Sequence, residues 1–287
     1  MSRNNTRIIL LCLTGFVLLL CAACRGARSN AILASHLVDG HWQVAAVDPE
    51  AGLVKQVTSS PSDKRLPLVS ADRRHALYRS NEGGLWEVPL KGGKAEMLLD
   101  GEVITDFDVA GGLMVVSKIR PTPISNSDVW LIENGKITAC LADNVAREED
   151  MAISPDGARM VYSHRATGKP QDLWLYEFSS KKRTKLTSET RWATCPCWSP
   201  DGKKIAFASN LAGNFDIYVM QIESRKSRRL TTGPAFDSFP AWSPDGRTIA
   251  FVSDRSGVLK IWLMAADGAE KRCLTTEGGE FRELSWR

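Results

Sequence analysis

The sequence predicts an all-β fold, a six-bladed β-propeller, because two aromatic columns and one turn motif recur with the same period. The first column has a spacing of 44 residues and consists of Trp42, Trp86, Trp130, Trp174, Tyr218 and Trp262. The second column has the same spacing and consists of Trp198, Trp242 and Trp286. A Ser-Pro-Asp-Gly motif begins at Ser154, Ser199 and Ser243, and its residue types favour a tight turn. Short strands and turns at this spacing are typical of propeller blades.

One repeat unit shows how a blade is built. We predict four antiparallel strands, A to D, at Phe239–Ser243, Thr248–Ser253, Lys260–Ala265 and Arg272–Thr275. Each is a short apolar run rich in β-branched and aromatic residues, as expected for buried strands. The Gly, Pro and Asp turns between them come too often for a helix of any length.

The repeat register also predicts how the ring closes. Residues 31–35 match strand B, so the domain begins without a strand A. Residues 281–286 match strand A in register. We therefore expect a propeller over residues 31–287 in which the C-terminal strand completes the N-terminal blade and leaves no free sheet edge.

The first 30 residues form a separate segment. Arg3 and Arg7 precede an apolar run over residues 8–23, a pattern typical of a signal peptide. Ala22, Ala23 and Cys24 are similar to a bacterial lipobox, although Cys21 stands where lipoproteins usually carry Leu. We predict a signal over 1–23, lipidation of Cys24 and a linker over 24–30, which would place the protein in the periplasm or at the cell surface. Ordinary secretion and an uncleaved anchor are the alternatives.

Charge indicates which partners to expect. Without residues 1–23 the chain has 35 basic and 33 acidic side chains, since Arg3 and Arg7 are lost from the totals of 37 and 33. A net charge so close to zero predicts no nucleic-acid partner, which would require a basic face. We expect a monomer that touches the membrane only through its lipid.

The repeat motifs resemble those of a known family. Ser-Pro-Asp-Gly, Phe-Val-Ser-Asp-Arg-Ser-Gly at 251–257 and Arg-Leu-Thr-Thr at 229–232 resemble the TolB-type propeller repeat, over residues 31–287. The resemblance implies a cell-envelope protein whose channel mouth binds a peptidoglycan-associated lipoprotein or small peptides. TolB itself carries an α/β domain before its propeller, for which we find no room in this chain.

Catalytic motifs are missing from the sequence. It contains no Gly-x-Ser-x-Gly elbow, no phosphate-binding glycine loop and no His-Glu-x-x-His. We therefore predict no catalytic residue, no metal and no cofactor. A non-catalytic binding scaffold is the first hypothesis, a channel lyase or hydrolase is the second, and a sensor or partner module of an envelope complex is the third.

Several residues are candidates for metal or redox groups. Cys195 and Cys197 face the same way on a predicted inner strand, where core packing, a disulfide or a metal are the alternatives. Cys140 and Cys273 fall on opposite sides of the ring, too far apart to bridge. The turn aspartates Asp156, Asp201 and Asp245 are interpreted as turn residues rather than calcium ligands. His36 and His164 are expected in the surface or core, with a channel metal as the alternative.

The best candidate for a binding site is one mouth of the channel. We expect the D-to-A connections to line it, because loops on a rigid ring commonly bind partners. The rim residues predicted here are Arg65, Asp106, Arg147, Glu149, Asp150, Arg191, Trp192, Asp237 and Arg282. Trp192, outside both aromatic columns, is either a partner anchor or a cap on a blade junction.

Overall fold

The computed structural model describes residues 30–287, except 71, 101–103, 120–126, 134–135, 143–145, 189–191 and 277. This part of the chain contains 24 β-strands and no helix, so the predicted all-β fold is confirmed. None of the described residues belongs to a helix that could cross a bilayer. The predicted signal peptide and Cys24 lie outside the described residues.

Sixteen strands form four separate blades, each a four-stranded antiparallel sheet. The first contains β24 (Phe281–Ser285), β1 (Ile32–Val38), β2 (His41–Val47) and β3 (Val54–Gln56). The second contains β4 (Lys64–Val69), β5 (His75–Ser80), β6 (Leu85–Pro89) and β7 (Glu96–Leu99). The third contains β16 (Ala193–Trp198), β17 (Lys204–Ser209), β18 (Asp216–Gln221) and β19 (Ser227–Arg229). The fourth contains β20 (Asp237–Trp242), β21 (Thr248–Ser253), β22 (Lys260–Ala265) and β23 (Arg272–Cys273).

The other eight strands form one sheet rather than two. Its members are β8 (Ile104–Ala110), β9 (Leu113–Ile119), β10 (Ser127–Glu133), β11 (Lys136–Ala142), β12 (Arg147–Ile153), β13 (Arg159–Arg165), β14 (Asp172–Glu177) and β15 (Arg183–Lys185). A single parallel pair, Ser127 with Arg147, joins β10 to β12. Propeller-like four-stranded blades are confirmed, but only four of them are separate sheets, against the six predicted.

The first blade is closed as the repeat register predicts. Strand β24 pairs with β1 antiparallel, with Phe281 opposite His36 and Ser285 opposite Leu33. The indole of Trp286 donates a hydrogen bond of 3.0 Å to the Asn30 carbonyl. The two ends of the propeller are therefore held in one sheet.

The first strand of each four-strand set is here called the inner strand, and in the fourth blade it begins earlier than the sequence predicts. Strand β20 starts at Asp237 rather than Phe239, because Asp237 and Ser238 still pair with β21 before a bulge. Polar residues that the repeat register assigns to connections therefore belong to strands. The inner strands are β4, β8, β12, β16, β20 and β24.

The hydrophobic core lies between neighbouring sheets. Val161 and Leu173 pack in one buried cluster with Trp198 and Phe207 of the next sheet. In each blade, one turn joins the first strand to the second and another joins the third to the fourth. We call the face of the propeller formed by these turns the A–B face. The opposite face, formed by the remaining connections, is the D–A face.

Candidate functional site

Five inner strands carry a non-glycine residue in the left-handed backbone region. These residues, with φ between 50° and 55°, are Leu66, Asp150, Cys195, Phe239 and Glu283. Each lies at a register shift against its partner strand, as between Ser238 and Ala241. Such a backbone costs free energy for a residue with a Cβ, and it tends to occur where a side chain must be redirected.

All five side chains line one cavity of about 300 Å³ inside the channel. All six inner strands contribute to its wall. Apolar groups predominate, including Leu66, Met151, Phe239, Pro240 and Leu284. A small concave volume with mostly apolar walls and a few polar groups is the usual form of a ligand site.

The cavity occupies the A–B half of the channel. The prolines of the three Ser-Pro-Asp-Gly turns line it, as does the whole second aromatic column; these residues are Pro155, Pro200, Pro244, Trp198, Trp242 and Trp286. The lining includes no residue of the described D-to-A connections. The cavity therefore lies away from the mouth that the sequence predicts as the binding site.

Asp106 is a buried carboxyl group in the cavity wall. Its Oδ1 accepts the Phe107 N–H at 2.8 Å, and its Oδ2 accepts the Met151 N–H of the neighbouring inner strand at 2.7 Å. Burial raises the pKa of Asp106 well above its usual value, and the Asp150 carboxylate raises it further. Asp106 therefore favours the protonated, neutral form more than an ordinary aspartate does.

Replacing Asp106 should show its raised pKa, because the stability lost in the variant should depend on pH. The folded-state pKa lies above the unfolded value of about 3.9, so folding takes up a proton as the pH falls. We expect wild type to gain stability relative to Asp106→Asn as the pH is lowered from about 8 to about 5. Urea denaturation at each pH measures the difference.

Asp156→Asn is the matched control for this prediction. The Ser154 hydroxyl and the Ala158 N–H lower the pKa of Asp156, so its contribution is present above the unfolded value and is lost only below it. The difference between wild type and Asp156→Asn should stay flat over the same pH range. If the loss of unfolding free energy relative to wild type depended on pH in the same way for both variants, the raised pKa of Asp106 would be contradicted.

Asp150 and Cys195 continue the polar part of the wall. Asp150 Oδ2 accepts hydrogen bonds from Ser163 Oγ at 3.0 Å, from Gln171 Nε2 at 3.3 Å and from the Thr194 hydroxyl. Burial raises the pKa of the Cys195 thiol well above its usual range, and burial raises that of Cys197 to about 12. Both thiols are therefore protonated at neutral pH.

Glu283 joins the first blade to the second. Its carboxylate accepts bonds from Arg65 Nη2 at 2.5 Å, from the Leu66 N–H at 2.8 Å and from Ser35 Oγ at 2.6 Å. Burial alone would raise the pKa of Glu283, but the bond and charge of Arg65 outweigh it, and the pKa is lowered. Glu283 is therefore a charged group that is buried and fully partnered.

Arg287 links two inner strands that are not neighbours. Its Nη2 lies 2.7 Å from Asp108 Oδ1 on β8, and Asp108 Oδ2 accepts the Ile153 N–H of β12 at 2.6 Å. Arg287 also lines the cavity. The guanidinium thus ties β24 to β8 beside the cavity wall.

The predicted rim residues fall into separate local pairs. Of the nine, only Asp106 and Asp150 line the cavity. The others lie in contacts on the strands and connections: Arg65 with Glu283, Arg147 with Glu149, Asp237 with Arg255, and Arg282 and Arg65 over the Trp42 ring. Arg191 lies outside the described residues. Their role in binding remains a prediction.

Trp192 keeps both of its predicted roles open. It is 37% exposed, and the Arg165 guanidinium lies over its ring at 5.0 Å from the centroid. Its backbone bridges Gln171 and accepts the Asn210 N–H at 3.2 Å. The residue therefore joins two blades while its ring stays partly accessible.

The structure separates the other candidate groups. Cys195 and Cys197 are half-buried free thiols in the cavity wall. Cys197 also packs against the core cluster of Ala206 and Trp242, as predicted, whereas the bulge at Cys195 redirects that residue toward the cavity. The turn aspartates accept their own motif serines at 2.5–2.6 Å, which confirms the turn interpretation. His36 stacks on Phe281, and His164 lies 3.4 Å from Glu148. No cluster of three metal-ligating side chains occurs among the described residues.

The fold defines the chain as a β-propeller protein with a cavity lined by all six inner strands. A family model described as the TolB beta propeller domain matches residues 135–287, more than half of the chain. The chain therefore belongs to the TolB beta-propeller family. TolB from Acinetobacter baumannii superimposes with a TM-score of 0.76 at 19% identity, covering 91% of this chain and 67% of that one.

Enzymes also carry similar propellers. Dipeptidyl-peptidase 5 of Porphyromonas endodontalis is 26% identical over 193 residues, which cover 60% of this chain and 27% of that protein. The chain thus spans about a quarter of the length of this relative. An oligogalacturonate lyase in complex with manganese superimposes with a TM-score of 0.58 at 16% identity, over 82% of this chain and 70% of that one. These likenesses describe a fold that serves both binding and catalysis.

Proposed function

We propose that this protein is a non-catalytic binding scaffold of the cell envelope whose channel cavity receives an apolar group of a protein, peptide or glycan. The cavity carries this proposal, because five inner strands adopt a costly backbone to line it. We take the eight-stranded sheet as two blades, since its halves share only one parallel pair, which makes the propeller six-bladed. The sequence of residues 1–24 supports export and a lipid on Cys24.

The polar groups of the cavity support binding rather than catalysis. Both oxygens of Asp106 already accept backbone N–H groups, so the carboxyl is held as part of the ring. The raised pKa values of Cys195 and Cys197 leave little thiolate, which is the nucleophilic form of cysteine. These groups suit polar recognition of a ligand inside a mostly apolar pocket.

A photoreactive residue in the cavity tests the proposal. Phe239→p-benzoylphenylalanine places a crosslinker on the cavity wall and keeps the aromatic ring of the original residue. Phe236→p-benzoylphenylalanine is the matched control, because Phe236 is also half-buried but lies just before β20, in the connection on the D–A face and outside the cavity lining. Irradiation of cells should give a defined adduct from position 239 and none from position 236.

A cavity-filling change completes the test. Leu284→Trp adds volume to the wall, and it should abolish the adduct formed from position 239 while leaving the fold intact by circular dichroism. An adduct from position 236 alone would assign binding to the D–A mouth. Cleavage of the captured partner by the purified chain would refute the non-catalytic part of the proposal.

A further inference from the structure

A second cavity, of about 1040 Å³, lies between the first and second blades on the A–B face. We call it the entry groove, and its lining includes Asn30, Leu53, Lys55, Arg73, Arg74 and Lys91. Asn30 is held there by the Trp286 indole. The chain therefore enters the propeller at this groove.

The entry groove is rich in unpaired cations. Lys55, Arg73, Arg74 and Lys91 form no ion pair with any residue that the structure describes. Lys55 Nζ donates to the Leu90 carbonyl at 3.2 Å, across the two blades. The acidic residues of the lining are Asp48 and Glu50, and Asp48 Oδ1 is used to accept the N–H groups of its own turn.

Apolar side chains stand exposed beside these cations. Leu53 is 72% exposed and Val54 is 37% exposed, both at the turn that leads into β3. Leu53 lines the groove itself. Exposed apolar residues next to lysine and arginine are the composition of a surface that enters the headgroup region of a bilayer.

The opposite face has the reverse charge. The described charged residues of the D–A face connections are Asp39, Asp63, Glu82, Asp100, Asp254 and Glu280 against Lys169 and Arg255. An anionic surface would repel this face and attract the entry groove. The charge distribution therefore selects one orientation.

Tether length gives the same orientation. Only five residues separate Cys24 from Asn30, and the six steps between the two Cα atoms span at most about 20 Å when fully extended. A lipid on Cys24, as in the proposed function on which this step rests, would hold the groove within that distance of the bilayer. The cations would then come within reach of the headgroups, where attraction extends over about 8 Å at physiological salt.

We propose that the entry groove, with Leu53 at its edge, docks the propeller onto an anionic phospholipid surface. The D–A face then points away from the membrane. The channel cavity lies toward the docked face, so its ligand would be a group presented close to the membrane surface.

Depth-dependent fluorescence quenching tests the orientation. The lipidated full-length chain carries Cys140→Ser to remove its exposed thiol, and an environment-sensitive label is attached at Leu53→Cys. Leu211→Cys is the matched control, since Leu211 is 48% exposed on the D–A face. In vesicles containing phosphatidylglycerol and spin-labelled lipid, we expect several-fold stronger quenching at position 53 than at position 211.

Two further measurements sharpen the outcome. Charge reversal of Arg74 and Lys91 to Glu should lower the quenching at position 53 to the level of position 211, as should vesicles of phosphatidylcholine alone. Equal quenching at both positions, or stronger quenching at 211, would overturn the proposed docking. Palmitate labelling of wild type against Cys24→Ala reads the lipid anchor separately, so loss of the anchor is distinguishable from loss of the docking.

Discussion

Removal of residues 281–287 is expected to abolish the cooperative unfolding of the propeller. The deletion removes β24, leaving β1 unpaired along one edge. It also removes Phe281, which is fully buried, and Trp286, which packs with Ile32 and Ala34. Losing one large buried aromatic side chain costs about 3–5 kcal/mol, and two such losses approach the whole stability of an ordinary domain, about 5–15 kcal/mol.

Near-ultraviolet circular dichroism and urea denaturation would measure this loss. A synthetic peptide of residues 280–287 added to the truncated chain should restore part of the transition, because the missing strand is supplied from outside. Arg282→Ala in the full-length chain is the control: it removes one stacking contact on Trp42, worth about 1 kcal/mol, and leaves the ladder intact. A truncated chain with the wild-type midpoint would contradict the role of β24 in closure.

The second large effect is expected for Glu283→Gln. The substitution leaves the partly buried Arg65 guanidinium without its counter-charge, and breaking a buried pair in this way costs about 3–5 kcal/mol. Since the pKa of Glu283 is lowered in the fold, its contribution is fully present above the unfolded value of about 4.3 and is lost as the pH falls through the folded value. The difference in free energy of unfolding between wild type and Glu283→Gln should therefore become smaller in acid.

Glu149→Gln is the matched control for Glu283→Gln. Its partner Arg147 is 40% exposed, so the same chemical change should cost at most about 1 kcal/mol. Guanidinium denaturation of wild type and the two variants would rank their stabilities. The pH series should use urea instead, because guanidinium is a salt and screens the charges. Equal losses for the two variants would show that Glu283 stabilises the ring no more than a surface pair does.

The repeat made the fold predictable to a large extent. A period of 44 residues requires identical units, and the match of residues 281–286 to strand A places β24 beside β1 without any knowledge of coordinates. The number of separate sheets was less accessible. It depends on one parallel pair between Ser127 and Arg147, and a single backbone contact leaves no periodic signal in side-chain types.

The candidate site was predictable only in part. Asp106 and Asp150 are predicted as rim residues of the D-to-A connections, and both lie instead on inner strands that line the cavity. The apolar walls were missed because Phe239 and Leu66 look like core residues in the repeat. A left-handed backbone turns them into the channel, and side-chain hydropathy does not encode that rotation. One signal was present: Leu66, Cys195 and Phe239 each precede a proline at equivalent positions.

Cys195 is a second residue whose surroundings could not be predicted from the repeat. Its alignment with Phe239 suggested a small residue packed in the core, and the alignment itself was sound. Both positions nevertheless lie at a bulge that opens onto the channel. Repeat equivalence therefore transfers a backbone conformation from blade to blade, even where the burial inferred for the column is wrong.

The pairing of β1 with β24 has a mechanical consequence. Leu33 lies opposite Ser285 in an antiparallel ladder, so a force that separates residues 32 and 285 would pull the two strands apart one bond at a time, starting at Trp286 and Asn30. Such unzipping resists tension poorly, whereas a load applied between Asn30 and a distant blade must shear several strands together. A propeller held at its first strand would thus resist a force applied to a bound partner. A force on residue 287 would instead break the Arg287–Asp108 ion pair and then separate β24 from β1.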